Sequence, residues 1–174
     1  MSITTTTPVS IDTSPAFSHR CIENATFAVG LDRAYEALFD LTRWERLLPH
    51  ILRIEISYDD GQYQEFEMTV KSEADGSPLT VRSVRNCKPG VIEFFQPKPP
   101  AFLLNHGGVW RFNALGDDAT DVTITHVWNL HPERASQIFP ADEQGSTEEK
   151  VARTLSGHSR ITLKTWQDIL GSAL

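Results

Sequence analysis

The sequence is short of cysteine, with only Cys21 and Cys87 among 174 residues. Two cysteines can form one disulfide at most, so a framework of several disulfides is excluded, and both stand in strand-like segments. The N-terminal stretch has neither the basic start nor the apolar segment of a secretion signal, and we therefore expect a cytoplasmic location. In that compartment the two cysteines are expected to be reduced, packed thiols.

Basic residues are also scarce, since 16 lysines and arginines stand against 23 aspartates and glutamates, a net charge of −7. Nucleic-acid-binding domains usually carry a basic excess, and an anionic membrane surface repels an acidic chain. No apolar run approaches the roughly 18 residues that a membrane-spanning helix needs. We therefore expect neither a nucleic-acid partner nor insertion into a membrane.

What the chain does contain is typical of one globular domain. Its hydrophobic content of 40% and charged content of 22% are those of folded proteins, and its length suits a single core. Residues 1–17 are rich in Thr, Ser and Pro and lack periodicity, which predicts a disordered tail. The remaining residues, 18–174, are predicted to form the domain.

The first predicted elements are a strand and two short helices. Residues 19–29 have the composition of a strand. Asp32 is placed to cap the first helix, and Thr42 is placed to cap the second, which covers residues 43–48. Pro49 ends that second helix because the residue before a proline disfavours helical backbone.

Period-two alternation then replaces the helical pattern. Turn sequences containing Gly, Pro or Asp separate the segments, as in an antiparallel meander. The six strands predicted in this way cover residues 51–57, 63–71, 79–87, 91–96, 108–113 and 121–130.

A long helix is predicted to close the chain. A loop over residues 131–145 leads to Ser146, where the helix starts with an acidic first turn, and the helix ends at Gly171. Small or polar residues from Gly157 to Ser159 are consistent with a gap beside the middle of the helix. The face predicted to pack inward consists of Val151, Leu155, Thr162, Trp166 and Ile169.

This order of elements predicts an α+β architecture in which the helices are segregated from an antiparallel sheet. A sheet of seven twisted strands curls. The C-terminal helix laid across the concave side would leave an internal pocket between helix and sheet.

One predicted strand carries a single arginine on an otherwise small and apolar face. Strand side chains alternate, so Val81, Ser83 and Arg85 share that face. If the face lines the pocket, Arg85 is a fixed cation that binds and polarises carbonyl or carboxylate oxygens. The alternatives are an edge arginine that reaches solvent or one that is paired with a core glutamate.

Three histidines are candidates for proton transfer near neutral pH. His126 shares a strand face with Ile124 and Trp128, a polar and aromatic wall of the kind found in ligand pockets. His158 stands in the middle of the long helix, and His106 is placed in the loop before its strand, at the mouth of the pocket. Each can instead be an ordinary structural histidine. None has metal-ligand spacing, so no metal site is expected.

Tryptophans and serines add two further hypotheses. Trp44, Trp110 and Trp128 either fill the core or wall a cavity for a planar ring system. The serines do not form a nucleophile elbow of the Gly-x-Ser-x-Gly type, which argues against a Ser-His-Asp hydrolase.

The element order, together with five sequence stretches, resembles the helix-grip superfamily that includes START domains and birch-pollen-allergen-like proteins. Within it, the closer likeness is to bacterial polyketide aromatase/cyclases, and it spans roughly residues 19–170. The tyrosine of some members would fall at Ile51, with His50 beside it, and the asparagine of some members corresponds to Thr162. The five stretches are residues 41–50, 83–85, 106–112, 125–130 and 155–163.

The resemblance implies regiospecific aldol cyclisation and dehydration of a poly-β-ketone tethered to an acyl carrier protein, with no cofactor. Arg85 would polarise a carbonyl and His126, or a water that it orders, would act as the base. The resemblance leaves open whether the chain forms a homodimer. The residues expected to contact substrate are Trp44, Ser83, His106, Trp110, Trp128, His158 and Thr162.

Two other functions fit the same fold, because fold does not determine function. The first is a non-catalytic carrier of a lipid, quinone or polyketide, and the second is a thioesterase-like or stress-related domain. A carrier protein is normally acidic, so docking to this acidic chain would need a local basic patch. The candidates are Arg43, Arg46, Arg53, Lys98, Lys150 and Arg153.

Overall fold

A computed structural model of the chain describes residues 17–71 and 76–172. Within them, seven strands form one antiparallel sheet in the order β1-β7-β6-β5-β4-β3-β2. The predicted tail lies outside the described residues except for Phe17. The strands are β1 (His19–Phe27), β2 (Ile51–Asp59), β3 (Tyr63–Lys71), β4 (Pro78–Lys88), β5 (Val91–Lys98), β6 (Leu103–Ala114) and β7 (Thr120–Leu130).

The helices lie before and after the meander of strands. Helix α1 (Leu31–Phe39), a 3-10 turn (Leu41–Arg43) and α2 (Trp44–Leu47) connect β1 to β2, while α3 (Arg134–Ile138) precedes α4 (Thr147–Gly171). The segment 131–145, predicted as loop, therefore contains one short helix. From β2 to β7, strands that follow one another in sequence are neighbours in the sheet. Strand β1 pairs with β7 and packs against α4. The predicted α+β helix-grip architecture is confirmed.

The starts of the two short helices differ from the prediction. The backbone of Gly30 is extended and its carbonyl accepts from Ala34 N at 3.1 Å, so α1 begins before Asp32. The carboxylate of Asp40, and not Thr42, caps the next turn, because it accepts from the Thr42 backbone N–H at 3.0 Å. A carboxylate is a stronger acceptor for this purpose than a hydroxyl that must also donate.

The long helix α4 begins as predicted at Ser146, which forms a capping box with Glu149. Its buried face differs from the predicted one, because Thr162 and Ile169 are only half-buried and flank the buried stripe. Side chains spaced by three or four residues remain on one face of a helix, and the spacing continues from Leu155 through Ser159. The buried residues are Val151, Leu155, Ser159, Leu163, Trp166 and Leu170.

Both cysteines are free thiols, as predicted. Cys87 is buried and Cys21 is half-buried against α4. Burial raises the pKa of each thiol, so both stay protonated at neutral pH. Among the described helices, none combines the length and the apolar character that crossing a membrane requires.

Gly108 allows β6 to pair with β7 while the ring of Phe94 lies close to its backbone. We expect Gly108→Ala to lower the free energy of unfolding by about 3 kcal/mol. An added Cβ would lie 2.1 Å from the carbonyl oxygen of Thr125 and 2.7 Å from the ring of Phe94. The backbone oxygen belongs to the β6–β7 ladder and cannot move without breaking that pairing. Urea denaturation measures the change in the free energy of unfolding.

The matched control is Gly171→Ala at the end of α4, where an added Cβ would meet no heavy atom of the described residues within 4 Å, apart from its chain neighbours and the backbone of its own helix. This variant is expected to keep its stability within about 1 kcal/mol of the wild type. Equal midpoints for the Gly108 variant and the wild type would contradict the argument from close packing.

Candidate functional site

A cavity of about 610 Å³ lies between α4 and the concave face of the sheet. Its volume falls in the range of natural ligand pockets, and most of its lining is apolar. The cavity meets solvent at its exposed lining residues, which are Lys71, Ser77, Pro78, Ala101 and Ile138. The polar side chains farther inside are Ser83, Arg85, Gln96, His106, His126 and His158, with Ser159 and Thr162 on α4.

Arg85 lines the deep part of this cavity and is 5% exposed, so it does not reach solvent. Its Nη2 donates to the carbonyl oxygen of Leu38 at 2.7 Å, and its Cζ lies 5.5 Å and 5.8 Å from the ring centroids of Trp44 and Phe66. Among the described residues no carboxylate forms an ion pair with Arg85, and its Nε has no hydrogen-bond partner. Both alternatives considered from sequence, an edge arginine and a glutamate pair, are therefore excluded.

Burial lowers the pKa of the Arg85 guanidinium, and Cys87, Tyr35 and the carboxylate of Asp59 oppose that shift. Arginine nevertheless stays protonated in proteins, so the deep wall carries a cation without an adjacent anion. Burial also raises the pKa of Tyr35 to about 12, which keeps its phenol neutral. An oxygen that carries negative charge in the cavity would find its complement at Arg85.

The polar network behind Arg85 holds the guanidinium in place. Cys87 Sγ lies 4.0 Å from Arg85 Nη2 and donates to Gln64 Oε1 at 3.5 Å. Gln64 Nε2 in turn donates to Asp59 Oδ2 at 2.9 Å. Cys87 and Gln64 are neutral, and the carboxylate of Asp59 neither lines the cavity nor forms an ion pair with Arg85, so the charge of Arg85 is not cancelled there.

The strand register places Arg85 and His126 in one row across the sheet. Arg85 is opposite Phe94, Phe94 is opposite Gly108, and Gly108 is opposite His126. Three strand spacings separate the two polar residues, roughly 14 Å measured along the sheet. Because Gly108 has no side chain, the ring of Phe94 lies where a Cβ at this position would be. A ligand chain lying along this row can contact both.

His126 is hydrogen-bonded to His106, with His106 Nε2 and His126 Nδ1 2.8 Å apart. The two rings are nearly parallel, at 19°, and each meets the ring of Phe94 edge-on. His106 Nδ1 lies 2.7 Å from Gln96 Oε1, and Gln96 Nε2 donates to Ser83 Oγ at 3.3 Å. Four polar side chains on four adjacent strands therefore form one hydrogen-bonded chain.

The histidine pair is neutral at physiological pH. Burial, and secondarily the neighbouring His158, lowers the pKa of His126 from 6.5 to about 4. Burial and the neighbouring His126 lower the pKa of His106 well below 6.5. A neutral imidazole has one bare nitrogen, which makes the pair a proton acceptor at pH 7.

The predicted position of His106 at the mouth is wrong, since His106 lies inside β6 and is 4% exposed. The turn before β6 closes earlier than predicted, with Leu103 N donating to Pro100 O at 2.9 Å. The strand is therefore five residues longer at its start than the sequence pattern indicated, and it carries His106 into the interior.

The three tryptophans separate into two groups. Trp44 and Trp110 line the cavity, where the hypothesis of a cavity wall had them. Trp128 does not: it is 1% exposed, packs with Phe102 and Leu155 in a second apolar cluster, and stacks on His19 at 5.7 Å. It shares the concave face with His126, but the first half of α4 and the turn before β6 cover that end of β7.

Helix α4 contributes the wall opposite the sheet. His158, Ser159 and Thr162 line the cavity, and Thr162 Oγ1 lies 3.3 Å from His50 Nε2. His50 and Ile51, where the resemblance placed a tyrosine, line it as well. Gln96 was not predicted as a site residue. It stands two residues after Phe94, and this spacing could have indicated that the two side chains share a strand face.

Three of the six cations proposed for docking a partner are engaged within the protein. Arg53 is paired with Glu55, Lys150 is paired with Asp142 at 2.6 Å, and Arg153 donates to the carbonyl of Gln144 at 2.8 Å. Among the described residues, no group of three or more His, Cys, Asp or Glu side chains is arranged to hold a metal ion.

The fold and the lined cavity together define a protein with the helix-grip fold. A START superfamily protein from Mycobacterium smegmatis superposes over 90% of this chain and 99% of its own, with a TM-score of 0.71 at 12% identity. No family model matches the sequence.

The resemblance to polyketide aromatase/cyclases is confirmed by three proteins. The bifunctional cyclase/dehydratase of the granaticin polyketide synthase from Streptomyces violaceoruber is 30% identical over 150 residues, 82% of this chain and 44% of its own. The Zhui aromatase/cyclase from Streptomyces sp. R1128 has a TM-score of 0.75 at 19% identity and covers 88% of this chain and 93% of its own. The di-domain aromatase/cyclase BexL from the BE-7585A biosynthetic pathway has a TM-score of 0.77 at 25% identity, over 90% of this chain and 51% of its own.

The chain thus spans about half the length of the granaticin relative and of BexL.

Proposed function

We propose that this chain catalyses the regiospecific aldol cyclisation and dehydration of a poly-β-ketone tethered to an acyl carrier protein. The observation that supports this most directly is the pairing of an uncompensated buried cation, Arg85, with a neutral base, His126, in one row of a ligand-sized cavity. A carbonyl oxygen that becomes an enolate oxygen needs a cation such as Arg85. The carbon that loses a proton needs a base such as His126. The names of the relatives point to the same chemistry.

The proposed first step is proton abstraction from a carbon between two carbonyls. His126 takes the proton, and the electron pair of the broken C–H bond becomes an enolate. Arg85 donates to the oxygen on which negative charge develops, as preorganised donors do for oxyanions. The enolate carbon then attacks a second carbonyl of the folded chain and closes the ring.

Loss of water completes the reaction. The protonated His126 first gives its proton to the alkoxide that ring closure forms, which becomes a hydroxyl. His126 then removes the remaining proton from the attacking carbon, and the electron pair of that C–H bond forms the C=C bond as the C–O bond breaks. The leaving hydroxide takes the proton from His126 and departs as water, so base and acid are one group in two protonation states. No electrons are gained or lost overall, and proton transfers alone balance the sequence, which is why we propose a reaction without a cofactor.

The shape of the cavity selects which carbons meet. Trp44 and Trp110 supply flat walls on which a planar product can stack, and Phe94 separates the two polar residues. Holding the chain in a folded near-attack geometry supplies much of the rate acceleration. Ser83, His158 and Thr162 are placed to hydrogen-bond other carbonyls along the chain.

The carrier protein would dock where the cavity meets solvent, so that its tethered chain enters beneath α4. Lys71 lies at this opening and is exposed, which suits a negatively charged partner. Free cysteine thiols suit the cytoplasm in which carrier-bound intermediates are made.

The product profile of a minimal polyketide synthase tests the proposal. With the protein present we expect one aromatic product to replace the mixture of spontaneously cyclised chains. Chromatography with mass spectrometry quantifies both. A profile that stays unchanged for several chain lengths would contradict catalysis.

The mostly apolar lining favours a second candidate, a carrier that binds a lipid, quinone or polyketide without changing it. In that case Arg85 anchors a ligand oxygen. Native mass spectrometry of the purified protein distinguishes the two, because a carrier retains a bound molecule at near-full occupancy and an enzyme with a tethered substrate does not.

A further inference from the structure

The hydrogen-bonded chain that runs through the histidine pair has a direction. Gln96 and His106 are 8% and 4% exposed, so neither exchanges its hydrogen bonds freely with water. His106 Nδ1 faces Gln96 Oε1 at 2.7 Å, and a carbonyl oxygen only accepts. The proton of neutral His106 therefore lies on Nδ1, and its Nε2 is an acceptor.

The direction of these hydrogen bonds continues to His126. Its Nδ1 lies 2.8 Å from His106 Nε2, so Nδ1 is the nitrogen that donates. Neutral His126 then carries no proton on Nε2. That nitrogen has no hydrogen-bond partner among the described residues, and the ring lines the cavity.

We propose that Gln96 is a positioning residue that acts through His106 to hold His126 in the tautomer whose Nε2 can accept a proton from a ligand in the cavity. The inference deepens the proposed function and rests on it for its catalytic consequence. The tautomer itself is a property of the ligand-free protein.

The chain works in both protonation states of His126. When Nε2 takes the proton, the electron pair of the broken C–H bond stays on the substrate and His126 becomes an imidazolium. Its Nδ1–H still donates to His106 Nε2, and His106 Nδ1–H still donates to Gln96 Oε1. The opposite amide orientation would turn an N–H of Gln96 toward His106 and force the proton of neutral His126 onto Nε2, which would make His126 an acid.

The choice of an amide has a further consequence. Glutamate at position 96 would offer the same acceptor with a full negative charge, which stabilises imidazolium in the pair before any substrate arrives. Glutamine fixes the direction of the hydrogen bonds and leaves the pair neutral, in line with the lowered pKa of both histidines. The other titratable or charged groups around the pair are Arg85 on β4, Cys21 on β1 and His158 on α4.

The test uses the full chain labelled with ¹⁵N-histidine and needs no substrate. Two-bond ¹H–¹⁵N spectra at neutral pH distinguish protonated from bare ring nitrogens. We expect wild-type His106 and His126 to carry their protons on Nδ1. In Gln96→Met, which keeps the size of the side chain and removes the acceptor, we expect His126 to show a mixture of tautomers.

Gln96→Glu is the matched variant, because it retains the acceptor. It is expected to keep both Nδ1 tautomers and to raise the pH at which the pair takes up a proton. This arm stands even if Gln96→Met fails to fold. A wild-type His126 protonated on Nε2, a folded Gln96→Met with unchanged tautomers, or a Gln96→Glu with an unchanged protonation midpoint would each overturn the inference.

Cyclisation assays then report the catalytic consequence separately. Folded Gln96→Met is expected to lose activity on the order of 10²-fold, within the range for general base catalysis. One outcome is that the wild type shows the expected tautomers while neither it nor the Gln96 variants change the product profile. In that case the proposed function fails and the positioning role of Gln96 stands. If Gln96→Met has lost the tautomer yet cyclises like the wild type, the catalytic part of the inference is wrong.

Discussion

Replacing Arg85 with methionine is expected to lower the rate of cyclisation by about 10²–10³-fold, the usual loss when one preorganised oxyanion donor is removed. Methionine fills a similar volume beside Trp44 and Phe66 but cannot donate to an enolate oxygen. The Leu38 carbonyl loses its donor, while removal of a buried cation without an anionic partner offsets part of that cost. The variant should therefore fold, and the product profile of a minimal polyketide synthase measures the loss.

Arg82→Met is the matched control. Arg82 lies three residues earlier on the same strand, is exposed, and pairs with the carboxylate of Glu65 on the outer face. Its replacement should leave the product profile unchanged. Arg85→Lys adds a third arm, since it keeps the charge and loses the planar fork, and we expect it to recover only part of the activity. Full activity in folded Arg85→Met would remove Arg85 from the mechanism.

Replacing His126 with glutamine is expected to reduce cyclisation by about 10²–10⁴-fold, the range of a lost general base. Glutamine can still hydrogen-bond to His106, but it cannot accept a proton from carbon. His19→Gln is the control, because His19 stacks on Trp128 outside the cavity. If both variants give the wild-type profile, His126 is a structural histidine.

The pH dependence of this site follows from the same residue. The pKa of His126 is lowered from 6.5 to about 4, so the folded protein binds fewer protons than the unfolded chain between these values. The free energy of unfolding should therefore rise as the pH increases from about 4 to 6.5, and His106 adds a contribution of the same sign. An NMR titration that places the His126 midpoint near 6.5 would contradict this prediction.

Much of the fold could be predicted from the sequence because its signals are local. Alternation over the meander predicted the strands, and Ser146 followed by an acidic first turn marked the start of α4. Errors occurred where two local signals competed. Asp40 and Thr42 can both cap a helix, and the proline-rich segment before β6 concealed the first residues of that strand.

The site was only partly predictable for a different reason. Side-chain alternation has a period of two, so Ser83 and Arg85 had to share a face once that strand existed, and that face became the cavity wall. Trp128 obeyed the same alternation with His126 but is covered by α4 and Phe102. Elements that are distant in the sequence and pack on a strand face determine which of its positions remain open to a cavity.

The sequence by itself therefore determined the α+β class, the long capped helix and the inward face that carries Arg85, because each depends on residues within a few positions of one another. Only the tertiary structure decided that Arg85 forms no ion pair with a carboxylate of the described residues, that Gly108 lies between Phe94 and His126, and that Gln96, His106 and His126 are joined by hydrogen bonds. These features depend on the register between strands and on burial. A shift of one residue would turn every side chain of a strand to the opposite face, and no local pattern carries that information.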